Sequence, residues 1–563
     1  MRRQAVLELT SSKWRSTPDG TIRFWTSIDS DSPIPLEELR AGDYKHIPGN
    51  WAAIVIGDES ITLAADSSRP TSLLYARVDA TRQEQGSWVI TDAPDKLRPY
   101  LSTWQADPLQ AELFPHLGYT LDQHTLIAGV HTVQAGSSVV LEYAEESLQA
   151  AENISFFDVL RFREERCNDR ETYAVEFSKM LDETIGHVIK EARGRQLAVP
   201  LSGGIDSRLL LLWLKRMGAP NVVAFTYGVP GSSEASVSQR IASQLGVPWL
   251  MVPIDPEEVR ETWESNEGDD FISASWGGTS LPHVQDWYAL RQISKDGLIA
   301  SDAIILPGHT VVGSMHDEDL VESNPTLQQV LHAFQSHHSL QRPPRRGMRE
   351  SQAFADSAIS ALHQVREVSA YDESQADAKK SSVSIQRGLS QVELQSWIEW
   401  FNLRERQAKY INNSMRAYEF FGWEWALPMC TPSAREIWAR GSSELTLTRD
   451  WYRDFTNREY ADFTGESVTY HAPTSISMHA GAKRTVLAAM RAIRLDRILA
   501  RVRSTRVMLR HPMGFSGFIR DRNTIRVVGR MLAGQTAMGI WAQDFLHNRW
   551  GGKRDTVPPL AKS

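Results

Sequence analysis

The chain has 563 residues and a formal net charge of −8, and its 41% hydrophobic and 23% charged residues are typical of a globular protein with two or more domains. Two cysteines, Cys167 and Cys430, exclude a disulfide framework and a multi-cysteine zinc site. Because no stretch reaches the ~18 to 20 apolar residues of a membrane span and no apolar segment follows Met1, we expect a cytoplasmic protein without a membrane span. The acidic total argues against nucleic-acid binding.

The first 150 residues are predicted to be rich in β-structure. Short apolar or alternating runs are separated there by turn residues. These runs cover residues 21–26, 51–56, 61–65, 72–78, 88–91 and 137–141. We predict a β-rich domain over residues 1–150, a connecting segment over 151–170 and a second domain over 171–563.

From residue 171 the pattern changes to helices that alternate with buried strands. An amphipathic helix around Phe177 to Ile189 comes first. The strands predicted after it are 197–201, 222–227, 248–254 and 303–306, and the helices between them include 209–217 and 236–245. This order implies an α/β fold, with a parallel sheet wrapped by helices and a ligand at the carboxyl ends of the strands.

A glycine-rich turn follows the first of these strands. It reads Leu201-Ser202-Gly203-Gly204-Ile205-Asp206-Ser207 and runs directly into a helix. Backbone N–H groups and the dipole at a helix start favour a phosphate, and the Asp206 carboxylate adds a ligand for Mg²⁺. We predict an ATP and Mg²⁺ site at this turn, with Asp206 on the metal; the alternative is an ordinary strand-to-helix turn. The turn is not a Walker A loop, because no Gly-Lys-Ser/Thr follows.

Two further segments are expected at the same edge of the sheet. Tyr227 ends the second predicted strand, and Pro307-Gly308 follows the strand at 303–306. Because the carboxyl ends of parallel strands meet at one edge, we assign Tyr227, Pro307 and Gly308 to nucleotide binding together with the glycine-rich turn.

A polar stripe marks the segment from Val392 to Phe421, which is predicted to be one long helix. Its members are spaced by three or four residues and are Asn402, Arg406, Lys409, Asn413 and Arg416. Cations on an enclosed helix need an anion or carboxylates opposite them. Lys409 and Arg406 are our candidate catalytic residues, facing a triphosphate or a carboxylate substrate; the alternative is an internal lattice in which Glu405 pairs with Lys409.

The Ser-Gly-Gly-x-Asp-Ser turn resembles the pyrophosphate-binding loop of the N-type ATP pyrophosphatases, the family that contains asparagine synthetase. In the amino-terminal part, Gly49 to Ile56, Leu63 to Asp66 and Thr125 to Val130 resemble the glutaminase-like domain of that family. Glu424 to Met429 and Arg510 to Phe515 resemble two later segments. The resemblance implies an amino-terminal glutaminase-like sandwich joined to a parallel-sheet ATP pyrophosphatase domain with added helices.

Departures from the family pattern limit what the resemblance implies. Arg2 stands where the family has its nucleophilic cysteine, so we expect no glutaminase activity and interpret the amino-terminal domain as a structural remnant or a dock for another subunit. The loop after Gly308 is acidic in the family, whereas here it reads His309-Thr310-Val311-Val312-Gly313. Ala426 and Pro512 replace an Arg and a Lys of the later segments.

The resemblance implies a ligase that adenylates a carboxylate, releases pyrophosphate and transfers ammonia or an amine, with Lys409, Arg406 or Arg449 offsetting charge on the acyl-adenylate. The chain is most similar to members associated with bacterial surface polysaccharides, which implies a sugar uronic acid or other small-molecule carboxylate as substrate. Ammonia would come from solution or from a partner glutaminase, and a homodimer is possible. Two alternatives remain: a cyclase of the β-lactam or lasso-peptide type, and a non-catalytic ATP-binding scaffold.

Positive charge is concentrated between Lys483 and Arg530. Thirteen lysines and arginines stand there against two acids, Asp496 and Asp521. Such a stretch could hold polyphosphate, an anionic substrate or a membrane surface, or it could be a solvated helical face that balances the acidic remainder.

Overall fold

The computed structural model describes residues 5–466 except for 30, 79–87, 144–151, 164, 229–231, 314–317, 341–346 and 375–388; beyond 466 it describes 502, 505–506, 515–519, 521–548 and 556–560. Arg2, residues 510–514 and most of the basic 483–530 stretch therefore lie outside the described residues. Within the described ranges, no helix is both long and apolar enough to cross a bilayer.

The amino-terminal part contains two β-sheets. Its strands are β1 (Ala5–Glu8), β2 (Trp14–Ser16), β3 (Ile22–Thr26), β4 (Trp51–Ile56), β5 (Ser60–Ala65), β6 (Leu74–Arg77), β7 (Trp88–Thr91), β8 (Val130–Thr132), β9 (Ser137–Glu142) and β10 (Glu152–Phe156). One sheet has the order β1-β7-β6-β8 and the other β10-β9-β5-β4-β3-β2. Helices α1 (Leu36–Ala41) and α2 (Pro108–Leu117) complete this part. The β-rich prediction is confirmed, and all six predicted runs are strands.

The predicted boundary at residue 150 falls too early. Strand β10 pairs antiparallel with β9, with Glu152 opposite Leu141 and Phe156 opposite Ser137. The amino-terminal sheet therefore extends to Phe156, into the segment predicted to be a linker. The sequence signal was weak because residues 152–156 alternate between half-buried and exposed positions, which is typical of an edge strand.

The second sheet is parallel, as the alternation of strands and helices predicts. Its strands are β11 (Leu197–Pro200), β12 (Val222–Gly228), β13 (Trp249–Pro253), β14 (Ile304–Ile305) and β15 (Glu424–Trp425), in the order β13-β12-β11-β14-β15. All four neighbouring pairs run parallel.

Helices surround this sheet and extend it. They are α3 (Arg170–Ala192), α4 (Asp206–Arg216), α5 (Ser233–Gln244), α6 (Pro256–Trp263), α7 (Asn266–Ser275), α8 (Trp287–Asp296), α9 (Glu318–Glu322), α10 (Leu327–His338), α11 (Arg349–Ser374), α12 (Gln391–Asn402), α13 (Met415–Phe420), α14 (Pro432–Arg440), α15 (Ser443–Thr446), α16 (Asp450–Thr464), α17 (Thr524–Leu532) and α18 (Ala537–Leu546). A π-helix over Leu403–Ile411 and a 3₁₀ turn over Asn412–Ser414 connect α12 to α13.

The strand order creates a switch point beside β11. The chain proceeds from β11 outward to β12 and β13, and then returns to place β14 on the other side of β11. In open parallel sheets a crevice opens where the direction of winding reverses, at the carboxyl ends of the strands. The glycine-rich turn after β11 and Pro307-Gly308 after β14 both reach this crevice.

The two parts of the molecule share one apolar core. Buried residues from both amino-terminal sheets and from the parallel sheet belong to the same cluster, which includes Ile54, Val89, Val199 and Trp425. The rings of Trp25 and Trp425 lie 6.2 Å apart across the junction. The amino-terminal sheets are therefore packed into the second part rather than tethered to it by a linker.

Candidate nucleotide and acceptor site

The glycine-rich turn forms a small cradle at the start of α4. The Ser202 N–H donates to Ser207 Oγ at 3.2 Å, and the Gly204 N–H donates to Ser202 Oγ at 3.2 Å, so the two hydroxyls hold the turn in shape. Ile205 precedes α4 and supplies no side-chain cap. The first N–H groups of the helix therefore face the turn without a side-chain acceptor, which is the arrangement that binds phosphate.

Gly308 lies directly against this cradle. A Cβ atom on Gly308 would lie 2.5 Å from the backbone nitrogen of Ser207 and 2.8 Å from its Cα. Only a residue without a side chain permits this approach of two backbones. The loop that begins with Pro307-Gly308 and the turn from Leu201 to Ser207 are thus brought together, as the sequence pattern predicts.

Asp206 and Arg449 form an ion pair at the edge of the cradle. The Arg449 guanidinium donates to the Asp206 carboxylate. Burial raises the pKa of Asp206 above its usual value, while the Arg449 charge opposes this shift. The sequence alone could not show that Arg449, 243 residues away, would lie beside Asp206.

Tyr227 lies at the end of β12, as predicted, but its hydroxyl is occupied. It donates to the Asp286 carboxylate, whose pKa is raised by burial to about 6. Only the aromatic ring of Tyr227 is left for contact with a nucleotide.

A cavity of about 150 Å³ opens beside the cradle. Its walls come from the cradle, from the loop after β14, from α12 with the π-helix, and from the start of α16. The residues that line it are Asp206, Gly308, His309, Thr310, Val311, Val312, Gly313, Glu399, Asn402, Leu403, Gln407 and Arg449. Three positions assigned from the sequence, Asp206, Gly308 and Arg449, therefore share one cavity.

The predicted long helix from Val392 to Phe421 is wrong in detail. The segment is helical throughout, but residues 403–411 form a π-helix and 412–414 a 3₁₀ turn. A π-helix has a longer turn than an α-helix, so residues spaced by three and four no longer stay on one face. The five polar side chains consequently point in different directions: the Asn413 amide, for example, donates to the Ser275 carbonyl at 2.8 Å.

Lys409 is a structural residue, which corrects its assignment to catalysis. Its side chain is fully buried, and its ammonium donates to Glu405 at 2.7 Å and to the carbonyls of Thr120 and Asp122 at 2.9 and 2.6 Å. Arg404, also fully buried, donates to the Asp122 carboxylate at 2.8 Å. The alternative prediction, an internal network in which Glu405 pairs with Lys409, is confirmed. A loop of the amino-terminal part adds further partners to this network, which the spacing of residues along one helix could not predict.

Arg406 does not line the cavity but lies near it. It is close enough to influence the titration of Tyr119, His283, His338 and Tyr410. Burial lowers the pKa of His283 and of His338 to about 3, so both histidines are neutral at pH 7. Arg406 is therefore a cation set among neutral polar rings.

Glu399 is a cavity residue that the sequence did not single out. It is 4% exposed, and its carboxylate accepts from Trp438 Nε1 at 2.9 Å and from Gln395 Nε2 at 3.5 Å. Burial raises its pKa to about 8, against smaller opposing effects of these hydrogen bonds and Arg166. The sequence contained one indication of its role: Glu399 stands between Trp397 and Trp400, on a helix whose large apolar side chains require burial.

Part of the parallel sheet matches a known protein family. A family model described as asparagine synthase matches residues 189–266, which include the turn from Ser202 to Ser207. The search of curated proteins found no match.

Two solved structures have local similarity to the chain. One is an NH3-dependent NAD synthetase from Campylobacter jejuni subsp. jejuni NCTC 11168 in complex with the nitrate ion, with 14% sequence identity over 39% of this chain and 100% of that chain and a TM-score of 0.19. The other is the U34-tRNA thiolase NcsA from Methanococcus maripaludis with its 4Fe-4S cluster, with 12% identity over 39% of this chain and 87% of that chain and a TM-score of 0.19. At these scores they carry no argument about this chain. The segment that matches the asparagine synthase model contains three of the five strands of the parallel sheet, β11, β12 and β13.

Proposed function

We propose that the protein is an ATP-dependent carbon–nitrogen ligase that activates a carboxylate as its acyl-adenylate and transfers ammonia or an amine to it. The observation that carries the proposal is the contact of Gly308 with the first turn of α4, which joins the phosphate cradle to a cavity lined by Asp206 and Arg449. The asparagine synthase match over residues 189–266 supports the same chemistry.

The chemistry follows from the residues around the cavity. A carboxylate oxygen of the substrate attacks the α-phosphorus of ATP, and pyrophosphate leaves into the cradle formed by Ser202 to Ser207. The amine then attacks the acyl carbon, and AMP leaves. Arg449 stabilises the negative charge that develops on the phosphates, and the fixed N–H groups at the start of α4 hold the departing pyrophosphate.

Asp206 fits a Mg²⁺ ligand in this scheme. Within the described part of the chain no three His, Cys, Asp or Glu side chains cluster to form an all-protein metal cage. Mg²⁺ that accompanies a nucleotide needs only one or two carboxylates, since phosphates and water supply the other ligands. When bound, Mg²⁺ would neutralise charge on the triphosphate, and Asp206 would hold it beside Arg449.

We assign the substrate carboxylate to Arg406 and its neutral neighbours, and the adenine ring to Tyr227. A cation beside histidine and tyrosine rings that carry no charge at pH 7 attracts an anion. A sugar uronic acid is the substrate class we favour, with ammonia from solution or from a partner glutaminase.

The proposal is tested by pyrophosphate release from ATP and Mg²⁺ with ammonium and a panel of uronic acids, amino acids and peptides. We expect release with at least one carboxylate, and a loss of about 10²- to 10³-fold in Asp206→Ala. Asp454→Ala, an exposed carboxylate on α16, is the matched control and should retain wild-type activity. Release that persists in Asp206→Ala would contradict the site, and ATP binding without release on any acceptor would favour a scaffold.

A further inference from the structure

Helix α17 presents an apolar strip to solvent. Ile525 is 86% exposed and Leu532, seven residues later, is 40% exposed, so the two side chains lie on the same side of the helix. Between them lie Gly529, which is exposed, and Val528, which is half-buried. These four residues form the α17 strip, which extends over two helical turns, or about 10 Å.

Another side of α17 is anchored in the protein. Val527 and Met531 belong to a small buried core that this helix shares with α18. Arg530 Nη2 also donates to Gln543 Oε1 of α18 at 2.7 Å. The helix is therefore fixed on its inner side, and it holds the α17 strip outward in one orientation.

Arginines lie beside the α17 strip. Arg526 and Arg530 are four residues apart on the helix, and Arg522 stands just before its first turn. The side chains of Arg522 and Arg526 are 67% and 68% exposed. They pair with Glu264 and Asp521 at the surface, and such solvated ion pairs are weak enough for another anion to compete with them.

The sequence that leads to α17 carries the same sign of charge. From Lys483 to Arg530, thirteen lysines and arginines stand against two acids, in a protein whose net charge is −8. Clustered cations are attracted to the negative potential of an anionic bilayer, and the attraction grows with their number. The charge around the α17 strip therefore favours an anionic surface over a neutral one.

We propose that the α17 strip and the arginines beside it dock the protein on the surface of a bilayer that contains anionic lipids. An amphipathic helix of this kind lies in the plane of the surface, with its aliphatic side chains among the acyl chains and its arginines at the phosphate groups. The docking is independent of the proposed ligase function, because none of the described residues that line the cavity belongs to α17.

Other partners fit the α17 strip less well. A second copy of the chain packed antiparallel on the strip would bring its arginines beside these, and like charges repel. Nucleic acid would meet aliphatic side chains, which offer its bases no aromatic ring to stack on. An anionic bilayer supplies both an apolar phase for Ile525 and negative charge for Arg526.

Sedimentation with sucrose-loaded vesicles tests the docking on the full chain. Vesicles of equal parts phosphatidylglycerol and phosphatidylcholine are compared with vesicles of phosphatidylcholine alone. We expect about half of the wild-type protein to sediment with the anionic vesicles at about 1 mM lipid, and little of it with the neutral ones. Raising NaCl from about 0.1 M to about 0.5 M should release most of the bound protein, because salt screens the attraction.

Two variants separate the apolar contribution from the charged one. Ile525→Ser should lower the affinity for anionic vesicles about tenfold, and Arg526→Gln about fivefold. Both side chains are exposed, so the thermal unfolding of the variants should match that of the wild type. Val175→Ser, at a position 69% exposed on α3, and Arg163→Gln, which breaks an exposed pair with Glu436, are the matched controls and should bind like the wild type.

The possible results are distinct. Wild-type protein that does not bind the anionic vesicles would overturn the docking, and so would equal binding of the wild type and Ile525→Ser. A loss in Arg526→Gln alone would show charge attraction without the α17 strip, which also overturns it. Light scattering of the free protein tests the second copy: a dimer that Ile525→Ser dissociates would show that another subunit covers the strip and would contradict docking on a bilayer.

Discussion

At the scale of single residues, the close contact between Gly308 and Ser207 decides whether the cradle can form. The neighbouring atoms are backbone, so they cannot move aside as a flexible side chain would. We predict that Gly308→Ala displaces the loop after β14 at a cost of about 1 to 3 kcal/mol and weakens ATP binding by about 5- to 150-fold. Isothermal titration with ATP measures this.

The matched control for that prediction is Gly529→Ala. Gly529 lies in α17, and a Cβ there would meet no atom within 4 Å. This substitution should leave ATP affinity unchanged and stabilise the helix slightly. Equal ATP affinity in Gly308→Ala and the wild type would show that the loop does not shape the nucleotide site.

Glu399 gives a prediction about pH. Its pKa of about 8 lies above the unfolded value near 4.5, so the folded state holds a proton that the unfolded state releases between these values. The contribution of the protonated Glu399 side chain to the free energy of unfolding is therefore fully present below about pH 4.5, and it is lost as the pH rises through 8. The free energy of unfolding of Glu399→Gln relative to wild type should rise by about 1 kcal/mol per pH unit between pH 5 and 8. Urea titrations at four pH values measure it, and a pH-independent difference would contradict the raised pKa.

At the scale of elements, the segment from α12 to α13 connects the cavity to the amino-terminal part. It carries Glu399 and Asn402, which line the cavity, and also the buried group of Arg404, Glu405 and Lys409 around the loop at Asp122. A π-helix inside a longer helix is often found at functional sites. The loop around Asp122 thereby holds in position the same π-helix whose Leu403 and Gln407 line the cavity.

Breaking this buried group should affect stability far more than an exposed pair would. Lys409→Met leaves Glu405 and two carbonyls without the ammonium, and we predict a loss of about 3 to 5 kcal/mol in the free energy of unfolding. Lys179→Met removes an exposed pair with Glu183 at the same spacing of four and should cost less than about 1 kcal/mol. Chemical denaturation compares the two, and similar small losses would mean that the buried group is not a stabilising contact.

The sequence predicted the elements better than it predicted partners. Apolar runs and glycines placed β11, α4, β12 and the cradle correctly, because those signals are local. The role of Lys409 depends on a loop almost 290 residues earlier, and the pairing of Arg449 with Asp206 spans 243 residues. The prediction that five polar side chains share one face assumed an α-helix, and it failed at residues 403–411. The composition of that segment does not indicate the longer turn of a π-helix.

At the scale of the whole molecule, the amino-terminal sheets are part of the fold around the site. Asn50 accepts from the Leu427 N–H at 3.0 Å, Asn412 donates to the Ser68 carbonyl at 2.9 Å, and Arg435 pairs with the buried Asp158. A tethered domain would leave such groups to solvent. From the sequence, the amino-terminal domain was interpreted as a structural remnant or as a dock for another subunit. The shared core gives its sheets a structural role that does not depend on a glutaminase reaction.

The shared core predicts one unfolding transition. Separating the two parts would expose apolar side chains such as Trp25 and Trp425, so neither part should unfold alone. Differential scanning calorimetry of the whole chain should show a single main peak, which ATP shifts upward as a unit. Two resolved peaks, of which ATP moves only one, would contradict a common core.

Activation of a carboxylate by adenylation is tested most directly by following the transfer of an oxygen atom. A carboxylate that supports pyrophosphate release is labelled with ¹⁸O in both oxygens and incubated with ATP, Mg²⁺ and ammonium, and the products are weighed by mass spectrometry. Adenylation requires one ¹⁸O to appear in AMP while pyrophosphate stays unlabelled. Label in inorganic phosphate with formation of ADP, or AMP without label, would contradict activation by adenylation.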